Sequence, residues 1–307
     1  MIHLPAGAHG GDGHRLAALL GVDPSEILDL SLSLNPVAPD PVPIVARHLD
    51  AVGRYPSGRP ERAIAALTEL LVVEPARLVL TNGGAEAIAL VARMHPVGWA
   101  EAREFSLYRR HLRDIRPGGA RWMSDPHNPT GRLAAPEERA FVRDEAFYPL
   151  ATGRWSRHDP DTIVVGSLTK VFACPGLRLG YVVAPDDRTA ACLEALRPEW
   201  SVNGLAADAL PDLVAVADVD RWAAEIAVLR SELLTVLAEF GFSAMPGAAN
   251  YLWVEHAPGL RDRLLPHGIL LRSGETFGCP NAVRIAVPDP AGLARLRSAL
   301  ARGGADD

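Results

Sequence analysis

One lysine stands in a chain of 307 residues that carries 31 basic side chains, and all the others are arginine. It is Lys170, the last residue of Ser167-Leu168-Thr169-Lys170. Arginine stays protonated, whereas a lysine of lowered pKa is an amine nucleophile. A chain that uses arginine wherever plain positive charge suffices marks Lys170 as a position where an amine is needed. Ser167 and Thr169 add two hydroxyls, and Arg178 follows in Gly176-Leu177-Arg178-Leu179-Gly180. Hydroxyls and a guanidinium grip phosphate, and an amine forms an imine with a carbonyl. The set suits a phosphate-bearing aldehyde. The competing reading is a surface lysine on a loop, against which the single-lysine count weighs.

Three further segments offer polar groups in constrained settings. Asn82-Gly83-Gly84-Ala85-Glu86 joins an apolar run to a helical pattern, so backbone N–H groups at a helix start favour an anion there. Gly-rich turns of this kind are also common without a ligand. Asp125-Pro126-His127-Asn128-Pro129-Thr130-Gly131 fixes Asn128 between two prolines. Asp144-Glu145 follows the apolar stretch Ala140-Phe141-Val142, and a carboxylate at a strand end can keep a pyridine nitrogen protonated. Arg272 closes Ile269-Leu270-Leu271-Arg272, and Arg284 lies in Val283-Arg284-Ile285. Arginine suits bidentate binding of carboxylate or phosphate, although an arginine-rich chain also carries many on its surface.

The elements that must hold these groups are legible from periodicity. Helical spacing runs over 60–72 (Ile64, Leu67, Leu70, Leu71), over 85–94, and over 186–197. A long amphipathic helix spans 219–240, with Trp222, Ile226, Leu229, Leu233, Leu234 and Leu237 on one face. Strands are expected at 77–80, 161–166, 177–184, 251–254, 269–272 and 282–287. Short helices are expected at 12–20 and 260–265, and a final one at 291–301. Prolines 36, 39, 41 and 43 read as an extended arm. Alternation of strand and helix up to about residue 185 implies an α/β fold with a mostly parallel sheet. The remainder reads as a smaller α+β unit. The expected division is an N-terminal arm (1–45), a large domain (46–215) and a small C-terminal domain (216–307).

Composition narrows the function classes. Apolar residues at 48% and charged residues at 22% fit a globular chain rather than a disordered one. A net charge of −6 without a Lys/Arg stripe argues against nucleic acid as partner. No apolar run approaches the length of a membrane span. Cys174, Cys192 and Cys279 are odd in number and far apart, which fits neither a disulfide framework nor a metal knuckle, so no metal is expected and a cytoplasmic setting fits. The first 30 residues lack a secretory pattern.

In this order, NGGAEAI (82–88), HNPTG (127–131), DEAF (144–147), SLTK (167–170) and GLRLGY (176–181) resemble the fold-type I enzymes of pyridoxal 5'-phosphate (PLP) in the histidinol-phosphate aminotransferase group. Within that group, His9-Gly10-Gly11, Leu28-Asp29-Leu30-Ser31, Asn35-Pro36 and Trp200-Ser201-Val202-Asn203-Gly204 are most similar to the L-threonine-O-3-phosphate decarboxylases of cobalamin synthesis. The resemblance implies the aspartate aminotransferase-like fold and a PLP cofactor bonded to Lys170. It implies that Asp144 pairs with the pyridine nitrogen, Asn128 with the ring hydroxyl, and that Tyr108 stacks on the ring. Gly84, Ala85, Ser167, Thr169 and Arg178 would hold the cofactor phosphate, and Tyr55 would reach the phosphate of a second subunit in a homodimer with shared sites. His9, Gly10, Asn35, Arg272 and Arg284 would bind a small phosphorylated amino acid.

Two intervals fall short of the resemblance. Only 19 residues separate Tyr108 from Asn128, and 15 separate Asn128 from Asp144. Gly118 to Ser124 is a poor apolar strand, and the helix expected after Gly131 shrinks to Pro136-Glu137-Glu138-Arg139. The large domain is therefore expected to have lost a helix and even a strand. The leading function is decarboxylation of a threonine-O-3-phosphate-like amino acid. The alternatives are transamination of the histidinol-phosphate type and a non-catalytic accessory protein of the same fold. A DNA-bound regulator would need an added helix-turn-helix domain, for which the chain has no room.

Overall fold

A computed structural model of the chain describes residues 4–7 and 9–303. In chain order the first elements are α1 (Gly13–Leu20), β1 (Leu28–Asp29), α2 (Val42–Ala46), α3 (Glu61–Leu71), β2 (Leu78–Asn82) and α4 (Gly83–Met94). Then come β3 (Val97–Trp99), α5 (Ser106–His111), β4 (Asp114–Ile115), β5 (Ala120–Ser124), β6 (Val142–Asp144) and α6 (Tyr148–Thr152). β7 (Ile163–Ser167) runs into α7 (Leu168–Val171) and is followed by β8 (Leu179–Val183), α8 (Asp187–Leu196), α9 (Gly204–Ala215) and α10 (Val219–Glu239). The last are β9 (Ala244–Met245), β10 (Tyr251–Val254), α11 (Leu260–Leu264), β11 (Ile269–Leu270), β12 (Arg272–Ser273), β13 (Val283–Ala286) and α12 (Pro290–Gly303). Among the described residues, no helix is long and apolar enough to cross a membrane.

Seven strands form the main sheet in the order β2-β8-β7-β6-β5-β3-β4. β8 runs against both neighbours, and every other pair is parallel. Side chains alternate across a strand, so the two faces of this sheet bury different partners. Leu78, Leu80, Val164 and Tyr181 pack with α3, α9 and the start of α10, whereas Val79, Val142, Val165 and Val182 pack with α4, α5 and α8. α10 joins two cores: Val219, Trp222 and Ile226 enter the first, and Leu229, Leu233 and Leu237 enter a second with β10, β13 and α12. That second core lies on a four-stranded antiparallel sheet, β12-β13-β10-β9. Local chemistry sets the helix starts. Asp186 accepts the Thr189 N–H at 2.7 Å, and Asn203 accepts that of Ala206 at 2.8 Å.

The shortened region departs from expectation in one half and meets it in the other. The poor strand at 118–124 does form: β5 sits between β3 and β6, with Trp122, Met123 and Ser124 buried. The helix after Gly131 does not form, and residues 132–141 cross irregularly. Ion pairs close the sheet face that this segment covers. The Arg143 guanidinium, fully buried, meets Asp125 at 3.1 Å and Asp159 at 2.6 Å and donates to the Glu138 carbonyl at 2.9 Å. Arg157 meets the same two aspartates at 3.3 and 3.1 Å. Prolines 36–43 are likewise not wholly extended, because α2 begins at Val42.

Removing one member of a buried ion network leaves uncompensated charge. Arg143→Met should therefore lower the unfolding free energy by about 3–5 kcal/mol, measured by urea denaturation. A loss below 1 kcal/mol would mean that the aspartates are solvated.

Candidate active site

The carboxyl ends of β2, β5, β6 and β7 point to one place, the usual location of a ligand in an open α/β sheet. Here they border a cavity of about 260 Å³. Twelve of the residues singled out from sequence line it: His9, Gly10, Gly84, Ala85, Asn128, Asp144, Ser167, Thr169, Lys170, Arg178, Arg272 and Arg284. Tyr55, Tyr108 and Asn35 do not.

One end is built for an anion. No side chain caps the start of α4, so the N–H groups of its first turn, at Gly84 and Ala85, remain available there. The Ser167 and Thr169 hydroxyls lie 2.9 Å apart beside them. Arg178 adopts a left-handed conformation (φ 57°) just before β8, with its guanidinium over Gly83. A methyl group at Gly83 would strike that guanidinium, and the φ of +77° there also favours glycine. The W-S-V-N-G segment supports this corner. Val202 is in the core, and the Asn203 amide donates to the Leu177 carbonyl at 2.9 Å, next to Arg178.

Lys170 extends from the short helix α7, and its ammonium donates to the Leu32 carbonyl at 3.0 Å. Burial, then the positive charges of Arg284 and Arg178, lower its pKa to about 8. The resemblance implies substrate contact for Asn35, yet its groups are spent on the backbone. Its N–H donates to the Lys170 carbonyl at 3.0 Å, its amide donates to the Val171 carbonyl at 2.9 Å, and its oxygen accepts the Val37 N–H at 3.1 Å. Asn35 thus fixes the segment that carries the lysine.

Asp144 ends β6 with its carboxylate in the cavity wall. One oxygen accepts the Ala146 N–H at 3.0 Å and the other accepts the Tyr108 hydroxyl at 2.9 Å. Burial raises its pKa, and among the described residues it makes no ion pair. A cationic N–H donor would therefore be a fitting partner. Tyr108 lies behind the wall rather than in it. It is 0% exposed, and its ring packs against Trp122 at 5.5 Å and edge-on to Phe105 at 5.9 Å. Phe105, three residues earlier, lines the cavity and meets the His9 ring at 5.8 Å. The spacing in Phe105-Ser106-Leu107-Tyr108 carried no signal for which aromatic faces inward, because one helical turn separates them.

The opposite wall is strongly basic. Arg272 and Arg284 stand directly across from each other on β12 and β13, 4% and 7% exposed. Arg284 donates to the Asn128 side-chain oxygen at 2.7 Å and to the Ser31 carbonyl at 3.1 Å, and it lies 4.7 Å from the Tyr251 ring centre. Its Nε has no partner, and among the described residues no carboxylate pairs with it. Arg272 donates to the Thr276 hydroxyl at 2.7 Å. Burial first, then Arg284, lowers its pKa to about 10. Like charges opposite one another on paired strands are unfavourable, so an anion between them completes the wall.

Tyr55 is remote from this cavity in its own chain. It is 81% exposed and rests on Trp200 at 5.0 Å. Sequence reasoning also passed over Glu104 and Ser124. Glu104 is buried with burial raising its pKa to about 8, and Ser124 lines the cavity. Neither falls in a motif.

A profile of the family "Aminotransferase class I and II" matches residues 122–300, more than half of the chain. The chain belongs to the aminotransferase class I and II family. It is 30% identical to a threonine-phosphate decarboxylase of Salmonella typhimurium, with 95% of each chain covered. It is 27% identical to a histidinol-phosphate aminotransferase of Carboxydothermus hydrogenoformans, covering 92% of this chain and 91% of the relative. The decarboxylase alignment runs over 352 residues, more than the 307 here, so it carries gaps where this chain is shorter. A solved histidinol-phosphate aminotransferase from Sinorhizobium meliloti, in complex with pyridoxal-5'-phosphate, superposes with a TM-score of 0.82 at 18% identity, covering 95% of this chain and 94% of that one. The fold is the aspartate aminotransferase-like one, and the protein is a PLP-dependent enzyme. The non-catalytic alternative is thereby set aside.

The residues fit the cofactor. The open helix start with two hydroxyls and Arg178 suits its phosphate, the buried Asp144 lacks a cationic partner, and Lys170 offers the amine. The depressed lysine pKa also has a stability consequence. Between pH 8 and 10.5 the unfolded chain holds the lysine proton more firmly than the folded one, so stability of the apoprotein rises with pH across that window. Lys170→Met should remove this term. The variant should be more stable than wild type at pH 7 by on the order of 2–3 kcal/mol, with the difference shrinking toward pH 10. Equal stability at both pH values would mean that the amine is solvated.

Proposed function

We propose that this enzyme removes the carboxylate, as CO₂, from a small amino acid that carries a phosphate, of the threonine-O-3-phosphate kind. The observation that carries the reading is the pair Arg272–Arg284, two buried guanidiniums facing each other in the wall opposite the phosphate-binding end. A substrate with two acidic groups can meet both guanidiniums, and the unpartnered Arg284 Nε marks the place of one of them. The relative at 30% identity, named for decarboxylation of threonine phosphate, supports the same reading.

Each residue then has a task. Gly84, Ala85, Ser167, Thr169 and Arg178 hold the cofactor phosphate. Asp144 faces the ring nitrogen, Asn128 the ring hydroxyl, and Phe105 the ring itself. When bound, PLP takes up an amine covalently and accepts the electron pair of a bond broken at the α-carbon. Lys170 holds the cofactor at rest and, once displaced by the substrate amine, keeps a Nζ of pKa about 8 that gives or takes a proton near neutral pH. Arg284 and Arg272 bind the acidic groups, and His9 and Gly10 close the cavity over them. Which bond breaks would depend on how the arginines orient the carboxylate, with Lys170 placed to take the α-proton if the carboxylate is retained and transamination follows. The near-neutral Lys170 and the 27% identical histidinol-phosphate aminotransferase favour that second reading.

The enzyme is further proposed to be a homodimer. Leu49, Val52 and Trp200 expose apolar surface around Tyr55, which lies exposed and away from its own chain's cavity.

The deciding experiment incubates PLP-loaded protein with O-phospho-L-threonine and reads the product mass. Loss of CO₂ with the amine retained supports decarboxylation, whereas a ketone with the carboxylate retained means transamination. Lys170→Ala should abolish the visible absorption of bound cofactor, and a wild type that never acquires it would overturn both readings. Arg284→Ala should raise KM roughly 30-fold or more without altering that absorption. Tyr55→Phe should weaken cofactor binding about tenfold, and a monomer of undiminished PLP affinity would contradict the shared site.

A further inference from the structure

Tyr108 has no surface in the cavity, yet it touches a group that does. Its hydroxyl donates to Asp144 at 2.9 Å, and its ring is wedged between Trp122 and Phe105, so it cannot swing into the cavity without breaking the core. The contact continues behind the wall. Ser124 lies beside the Tyr108 hydroxyl. Ser124 is in turn gripped by Glu104, which takes its N–H at 3.0 Å on one carboxyl oxygen and its hydroxyl on the other. The Ser124 hydroxyl also accepts the Asn128 N–H at 2.8 Å. Tyr108 on Asp144, and the Glu104–Ser124 pair on Asn128, thus lie behind the two side chains assigned to the cofactor ring.

We propose that Tyr108 is a positioning residue that acts through its hydroxyl on Asp144, with Ser124 beside that hydroxyl. The inference rests on the reading of Asp144 as partner of the cofactor's ring nitrogen. A carboxylate that accepts hydrogen bonds is a weaker base than a bare buried one. With the Ala146 N–H on one oxygen and Tyr108 on the other, Asp144 leaves the shared proton on the ring nitrogen, where it draws electrons from the reacting bond. The titratable groups facing Asp144 from neighbouring elements are Tyr108 on α5 and, at longer range, Glu104 just before it, Tyr181 on β8 and Tyr251 on β10. Burial raises the pKa of Glu104 to about 8. Losing the Tyr108 hydroxyl makes Asp144 more basic, and the proton moves from the ring to the carboxylate.

The test is Tyr108→Phe in the PLP-loaded enzyme, read by the pH titration of the visible band of lysine-bound cofactor and by the dissociation constant of PLP from the apoprotein. A ring nitrogen without its proton draws less on the lysine–cofactor bond, so the titration midpoint should rise by about one pH unit, the size of one hydrogen bond to a charged group. Cofactor binding should weaken about tenfold. Phenylalanine keeps the aromatic ring, so a stacking role or a merely structural one moves stability and leaves the midpoint in place. Phe105→Leu, at the ring-facing position, should weaken binding with the midpoint unchanged. Ser124→Ala should shift the midpoint in the same direction by less, and it decides the matter alone if Tyr108→Phe does not fold. Unchanged midpoints overturn the proposal. A wild type without the visible band overturns instead the reading of the site on which it rests.

Discussion

Like charge confined in a small space is the constraint on which this molecule turns. The cavity wall carries Lys170, Arg178, Arg272 and Arg284 against one carboxylate, Asp144. Arg272 and Arg284 are buried and Lys170 half-buried, while Arg178 stays exposed. Part of the cost appears in the lowered pKa values of Lys170 and Arg272. Hydrogen bonds to uncharged acceptors take up another part: the Leu32 and Ser31 carbonyls, the Asn128 amide and the Thr276 hydroxyl. The excess of positive charge over the Asp144 carboxylate suits the phosphate of the cofactor and the acidic substrate proposed for the site.

A second charge arrangement, away from the cavity, answers a different need. The segment between β5 and β6 is too short to lay a helix over the sheet. An apolar sheet face there would be left to water. Met123 and Arg143 instead face an irregular crossing whose carbonyls and carboxylates accept the guanidinium, and Arg157 closes the cluster from the other side. The ends of β5 and β6 therefore keep their places, with Asn128 and Asp144 beyond them. Economy in chain length costs the site little, because the ligand-bearing edge depends on strand register rather than on the helix that covers the face.

Much of the architecture was readable in advance because it rests on local patterns. α3, α8 and α10 carry apolar residues at helical spacing, and the structure starts and stops them within a residue or two of that pattern. β5 was misjudged for a physical reason. Gly118, Gly119 and Arg121 look unlike a buried strand, but only Trp122, Met123 and Ser124 are buried, and Arg121 finds Glu138 and the Trp99 ring at the edge. Tyr108 was assigned to the cofactor ring on motif order alone. Helix α5 packs Tyr108 into the core against Trp122, while Phe105, just before the helix, lines the cavity.

The sequence by itself determined which chemistry is possible here: a lone lysine beside two hydroxyls, a Gly-rich helix start, a carboxylate at a strand end. Those are properties of residue type and near-neighbour spacing, and they survive any arrangement of the rest. Tertiary structure decided which groups act directly and which act through others. Arg272 and Arg284 oppose one another only because β12 and β13 pair in that register. Asn35 is spent on the Lys170 backbone, and Glu104 meets Ser124 only where α5 packs behind β5. Such relations depend on burial and on contacts between distant segments, and a hydrogen bond between residues far apart in the chain leaves no mark on the spacing of either.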